Sequence, residues 1–271
     1  MDNRPIGVFD SGLGGLTAVK TLREILPGED IVFLGDTGRV PYGNRSSEVI
    51  RKYAVQCLNF LAKQDVKLIV VACGTVSSVL GKELDHGFCV PCIGVLEPTV
   101  KTSLKETRNG KIGVIATAAT VASGSYEKIA HEINSDSKIF SKACPLFVPL
   151  VENGYFGENC APTKIVAKDY LAEFDDKDID TLILGCTHYP LLYDLIDDVT
   201  GHRLSLVSAG REVAVEAKNY LEKQGKLSNS EKNGTMRFFV TDEPDGFQKL
   251  GKSFLGEELT NVEKVDVEEK E

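Results

Sequence analysis

Apolar residues along this chain fall into two alternating patterns. Unbroken short runs such as Ile6-Gly7-Val8-Phe9, Ile31-Val32-Phe33-Leu34 and Leu68-Ile69-Val70-Val71-Ala72 read as strands. Between them, apolar positions recur at helical spacing: Leu13, Leu16, Val19, Leu22 and Ile25, closed by Pro27-Gly28, then Val49, Ile50, Tyr53, Ala54, Cys57, Leu58 and Leu61 after Ser46-Ser47. The run before Cys73 is apolar at every position, the habit of a strand buried on both faces in a parallel sheet. The plan then repeats. Ile112-Gly113-Val114-Ile115 opens a second unit, a helix carrying Tyr126, Ile129, Ala130 and Ile133 follows, and Ile139-Phe140 begins an extended stretch. Phe147–Val151 reads as a further strand ending at Glu152. A helix near 164–171 follows, and then the strand 181–185 runs into Cys186. A helix at 213–221, a strand at 236–240, a helix at 247–255 and a short strand near 262–267 complete the chain. Strands alternating with helices predict right-handed βαβ units. The expected fold is α/β: two similar domains with mainly parallel sheets, related by pseudo-twofold symmetry, with a site in the cleft between them. The expected boundaries are 1–96 plus 210–271 for a discontinuous first domain and 97–209 for the second.

The repeat singles out two cysteines. Ile6-Gly7-Val8 and Ile112-Gly113-Val114 open matching units, and Cys73 and Cys186 each end an apolar strand in them. Thr75 and Thr187 follow, small hydroxyl residues suited to a helix N-terminus. Ligands of open α/β sheets bind at this edge. A free cysteine is ordinarily a small buried hydrophobe, but two at matching places allow a specific chemistry. One thiolate takes a proton from one face of a carbon, and the opposite thiol returns one to the other face. Asp10 ends the first strand, His188 lies two residues beyond Cys186, and Glu152 is expected at a strand end, so each is a candidate helper. For a lone Asp or His, a helix cap or a satisfied loop residue would be the ordinary reading. Backbone N–H groups after Ser11, Thr75 and Thr187 suit a small carboxylate.

Composition narrows the class. The 271 residues carry 31 basic and 40 acidic side chains, a formal charge of −9, with 42% hydrophobic residues. No basic domain or stripe marks a nucleic-acid binder, no long apolar run marks a membrane span, and Met1–Pro5 opens no secretory signal. The segment 257–271 holds seven acids and two lysines. The seven cysteines fit a reducing, cytoplasmic setting better than a disulfide framework. Cys57 falls on an apolar helix face, and Cys144 and Cys160 read as structural. Cys89-Val90-Pro91-Cys92 lacks the second pair or histidines that a zinc site needs. Gly12–Thr17 departs from the dinucleotide fingerprint at Thr17, so its glycines read as letting backbone approach a small ligand.

These segments resemble the glutamate racemases of the aspartate/glutamate racemase family. The similarity is carried by Ile6–Gly15, Asp36-Thr37 with Pro41-Tyr42-Gly43, Ala72–Thr75, Thr117 through Tyr126, Pro149–Glu152 and Leu184-Gly185-Cys186-Thr187-His188-Tyr189-Pro190-Leu191. It spans Ile6 to about Leu255. His188 favours glutamate, since aspartate racemases of the family typically place Glu there. The resemblance implies a cofactor-independent and metal-independent enzyme that interconverts L- and D-glutamate for peptidoglycan synthesis, often as a homodimer. It implies that Cys73 and Cys186 are the proton-transfer thiols, with Asp10, His188 and Glu152 assisting. It implies substrate contacts from Asp10, Ser11, Tyr42, Gly43, Gly74, Thr75, Thr187 and His188. One departure stands out: the family commonly has Asn after the first catalytic Cys, where this chain has Gly74. The alternatives are a racemase for aspartate or a hydantoin, a non-catalytic anion-binding protein on the same plan, and a thiol redox or zinc protein using Cys89 and Cys92.

Overall fold

The computed structural model describes residues 1–268, so 269–271, the end of the acidic tail and of the first expected domain, lie outside the described residues. Among the described residues the strands are β1 (Ile6–Asp10), β2 (Ile31–Gly35), β3 (Leu68–Val71), β4 (Cys92–Gly94), β5 (Lys111–Ala116), β6 (Lys138–Ala143), β7 (Thr181–Leu184), β8 (Ser205–Ser208), β9 (Met236–Val240) and β10 (Val262–Lys264). They form two sheets, in the orders β10-β9-β2-β1-β3-β4 and β6-β5-β7-β8. Every pairing is parallel. The order β2-β1-β3-β4 is therefore repeated as β6-β5-β7-β8, and the internal symmetry read from the sequence is one of topology.

The register makes the repeat residue-specific. Phe9 pairs with Val71 in the first sheet, and Ile115 with Leu184 in the second. Ser11 thus stands level with Cys73, and Thr117 level with Cys186. The central strands β1, β2, β3 and β7 are buried at every position, as parallel strands covered by helices on both faces must be. One apolar core packs Phe9, Leu34 and Val71 against Ile50, Cys57 and Leu61 of the helix Ser47–Ala62. The other runs without a break from Val8, Leu16 and Leu22 through Leu96 and Val100 to Ile112, Leu184 and Val213. The two halves therefore share a core on one side of the cleft. No helix among the described residues is long and apolar enough to cross a membrane.

One expected strand is a helix, and another is shorter than its apolar run. Phe147–Glu152 is helical, so Glu152 sits at a helix C-terminus and not at a strand end. The apolar run Ile93-Gly94-Val95-Leu96 reads as one strand, but β4 stops at Gly94 and Leu96 opens the helix Leu96–Glu106. Both helices carry a proline, Pro149 or Pro98, at the third helical residue. The first-turn N–H groups have no intrahelical partner, so a proline there costs the helix no hydrogen bond. Short apolar runs do not separate strand from helix by periodicity. The polar-flanked β8 was not expected at all.

Candidate active site

Sheet edges assemble the site. β1 delivers Asp10 at its C-terminal end, completely buried, where Oδ2 accepts the Gly12 N–H at 2.9 Å and Oδ1 accepts Thr187 Oγ1 at 3.4 Å. β3 delivers Cys73, which occupies the N-cap position of the helix Gly74–Leu80. Its Sγ lies 3.3 Å from Ser11 Oγ. Burial, reinforced by the Asp10 carboxylate, pushes this thiol up to about 12. Burial also raises Asp10 itself, against the pull of His188 and the Gly12 and Gly15 N–H groups.

β7 delivers Cys186 at the matching place in the second sheet. The local structure differs, because the residues after Cys186 form no α-helix N-terminus: Thr187 and His188 lead into the 3-10 turn Tyr189–Leu192. His188 Nδ1 lies 3.8 Å from Cys186 Sγ, and its Nε2 lies 3.0 Å from Glu152 Oε1. Burial works against the imidazolium, but the Cys186 and Glu152 contacts outweigh it and raise His188 to about 10. The helix Phe147–Glu152 thus does what a strand end was expected to do.

The two thiol-bearing edges meet at the glycines beside the cysteines. A Cβ at Gly74 would stand 2.5 Å from the Gly185 carbonyl oxygen, so the residues adjoining both cysteines are in van der Waals contact. A Cβ at Gly14 would overlap Thr187 Oγ1 and lie 2.6 Å from His188 Nδ1. Thr17 Oγ1 donates to the Thr187 carbonyl at 3.0 Å. The Gly-rich turn therefore serves close approach of backbone, here to the opposite half.

Most of the sequence-predicted residues converge here: Asp10, Ser11, Cys73, Gly74, Thr75, Glu152, Cys186, Thr187 and His188. Gly43 reaches across the cleft, where its carbonyl accepts the Ala119 N–H at 3.3 Å. Tyr42 is placed differently from a side-chain ligand. Its ring is buried against Tyr53 and its hydroxyl donates to Asp36, which also holds Arg39 at 2.7 Å and Thr241 at 2.7 Å. Only the Tyr42 backbone is left for a ligand. Cys89 is exposed, while Cys92 is buried and its Sγ faces the Val90 carbonyl.

Sequence reasoning missed three residues as individual candidates. Thr117 Oγ1 lies 2.9 Å from Thr75 Oγ1 and 3.0 Å from Thr120 Oγ1, a hydroxyl cluster bridging the halves beside Cys73. Tyr126 is buried with its hydroxyl against Gly185 and no hydrogen-bond partner among the described residues. The signal for all three lay in the stretch Thr117–Tyr126, where a threonine N-cap ended a strand.

Two parallel α/β domains of like topology, meeting at strand ends that each present a thiol, define a class: enzymes of the racemase type. The chain belongs to the Asp/Glu/Hydantoin racemase family, whose model matches residues 14–216. It is 46% identical over 268 residues to a glutamate racemase of Thermoanaerobacter pseudethanolicus, covering 99% of each chain. The crystal structure of a glutamate racemase isoform from Bacillus anthracis superposes with a TM-score of 0.93 at 38% identity, covering 98% of each chain. That of the Francisella tularensis glutamate racemase in complex with D-glutamate gives 0.90 at 38% identity, covering 98% of this chain and 99% of that one.

Proposed function

We propose that this protein interconverts L- and D-glutamate by two-thiol proton transfer at Cα, with residues 1–96 plus 210–271 and 97–209 as its two domains. The observation that carries the reading is the placement of Cys73 and Cys186 at equivalent strand ends facing one cleft. One cysteine, as thiolate, takes the Cα proton: the C–H bond breaks, S–H forms, and the electron pair passes into the substrate carboxylate as an enolate. The opposite thiol then breaks its S–H bond to protonate the other face of Cα. The two roles exchange with the handedness of the substrate.

The free protein holds Cys73 as a thiol, since its ionisation is pushed to about 12. An amino acid brings its own remedy, because its ammonium beside Asp10 adds a positive charge that favours the thiolate. On the other side, His188, backed by Glu152, lies against the Cys186 sulfur and can exchange a proton with it. The hydroxyls of Thr75, Thr117, Thr120 and Thr187, with backbone N–H groups after Ser11, Cys73 and Cys186, suit the two carboxylates. Gly74 offers only its backbone where the related enzymes commonly offer an amide. Glutamate is the substrate by relationship, D-glutamate for peptidoglycan its destination, and a cytoplasmic homodimer the expected form.

The test is loss of circular dichroism from L-glutamate by dialysed protein without pyridoxal phosphate or metal, with L-aspartate in parallel. Decay of the glutamate signal alone supports the reading. Decay with aspartate alone keeps the mechanism and replaces the substrate. Decay with neither removes the proposal.

A further inference from the structure

His188 is held in its ring plane by two partners, Cys186 at Nδ1 and Glu152 at Nε2. Two in-plane contacts leave a ring free to rock about the line joining its nitrogens. Such rocking keeps both nitrogens in place but swings the Nδ1 hydrogen-bond direction away from Cys186 Sγ, 3.8 Å away, and hydrogen bonds weaken steeply with misalignment. Two further groups meet the ring, Gly14 at its Nδ1 edge and one aromatic side chain. Phe254 packs against it edge-to-face, with centroids 5.3 Å apart and planes at 85°. Phe254 is 2% exposed and comes from the helix Pro244–Leu255, which belongs to the opposite half from His188. That helix is seated tightly on the helix Leu16–Ile25, since a Cβ at Gly251 would stand 2.9 Å from Leu16 Cδ1. It also lies beyond the segment that the family model matches.

We propose that Phe254 is a positioning residue for the second thiol: it locks the His188 ring in the orientation that faces Cys186, so the C-terminal helix of one half completes the acid–base pair of the other. Aromatic pairs of this geometry are favoured through the positive edge of one ring meeting the negative face of the other. The titratable groups that face His188 and Cys186 are Glu152, Asp10, Cys73, Cys144, Tyr126 and Tyr189. None of them lies on the helix Pro244–Leu255, so replacing Phe254 alters no neighbouring charge.

The inference rests on the two-thiol reading, but its test needs no turnover. Cys73 and Cys186 are alkylated with iodoacetamide across a pH series, and each midpoint is read by peptide mass mapping in the wild type, Phe254→Ala and Phe254→Leu. The leucine variant keeps the apolar bulk and lacks the ring, so it serves if the alanine variant fails to fold. The expected result is a rise of the Cys186 midpoint by about half to one pH unit with Cys73 unmoved, a threefold to tenfold loss of thiolate that matches the usual worth of an aromatic pair. For an active enzyme, kcat falls by a similar factor with KM little changed. An unmoved Cys186 midpoint overturns the proposal, and so does an equal shift of both thiols, which would mean general loosening of the cleft. Failure to racemise glutamate would overturn the functional reading and leave this assay readable.

Discussion

The two thiol sites occupy the same place in the same topology, yet they are built from different chemistry. In the first half the strand beside Cys73 ends in Asp10-Ser11, and in the second the strand beside Cys186 ends in Ala116-Thr117. A carboxylate thus attends Cys73, while the equivalent position in the second half is apolar. Cys186 draws instead on an imidazole from its own loop and a carboxylate from a separate helix, Phe147–Glu152. The lesson is that a duplicated fold supplies symmetric positions, and the charge at each position is set by residues that need not be duplicated. An amino-acid substrate is asymmetric too, since its ammonium lies on one side of Cα.

The largest effect should test the symmetry itself. Cys73→Ser and Cys186→Ser should each lower glutamate racemisation by on the order of 10³-fold, because proton transfer by a positioned group contributes about 10²–10⁴. Circular dichroism decay in both directions measures this, and a variant retaining a tenth of the activity would remove that cysteine from the mechanism. His188→Asn probes the asymmetry and should cost on the order of 10²-fold by the same range. Glu152→Gln should cost less, since it acts only through His188. Equal losses for the two would contradict that order.

A smaller effect is expected at Gly14, whose close approach belongs to the first half but shapes the second. Gly14→Ala forces Thr187 and His188 to shift. Kinetics should show roughly tenfold lower kcat, within the losses that about 1 Å misplacement produces. Wild-type kinetics in this variant would mean the turn is looser than the geometry shows.

The pH dependence of stability separates the two sites as well. His188 keeps its proton to about 10 in the fold, against 6.5 ordinarily. Its contribution is therefore full below about pH 6.5 and is lost as pH rises through about 10. The Cys73 thiol, raised from 9.0 to about 12, acts with the same sign but at higher pH. Between pH 6.5 and 9 the fall in thermal midpoint should come largely from His188, and His188→Asn should flatten it. An unchanged slope in that variant would show the imidazole is not charged there.

The smallest effect should come from Tyr126. Removing a buried hydroxyl that has no partner among the described residues relieves a penalty of about 1–3 kcal/mol at most, so Tyr126→Phe should match or slightly exceed wild-type stability in thermal melts. A clear loss of stability would show that the hydroxyl is bonded in solution.

By itself the sequence determined the parallel α/β architecture, the internal repeat and both thiol positions. These follow from local signals: unbroken apolar runs for doubly buried strands, helical spacing between them, and a cysteine at each run's end. Tyr42 shows the first limit of such signals, because its motif was legible while the commitment of its hydroxyl to Asp36 was not. Glu152 shows the second, since a proline in the first helical turn made a helix read as a strand. Tertiary structure alone decided what stands behind the helpers of each thiol. His188 finds Glu152 from 36 residues away, Thr75 finds Thr117 from 42, and Phe254 reaches His188 from the far end of the chain. Such contacts leave no periodicity in the chain, because they depend on how two sheets are set against each other and not on the order of residues within either.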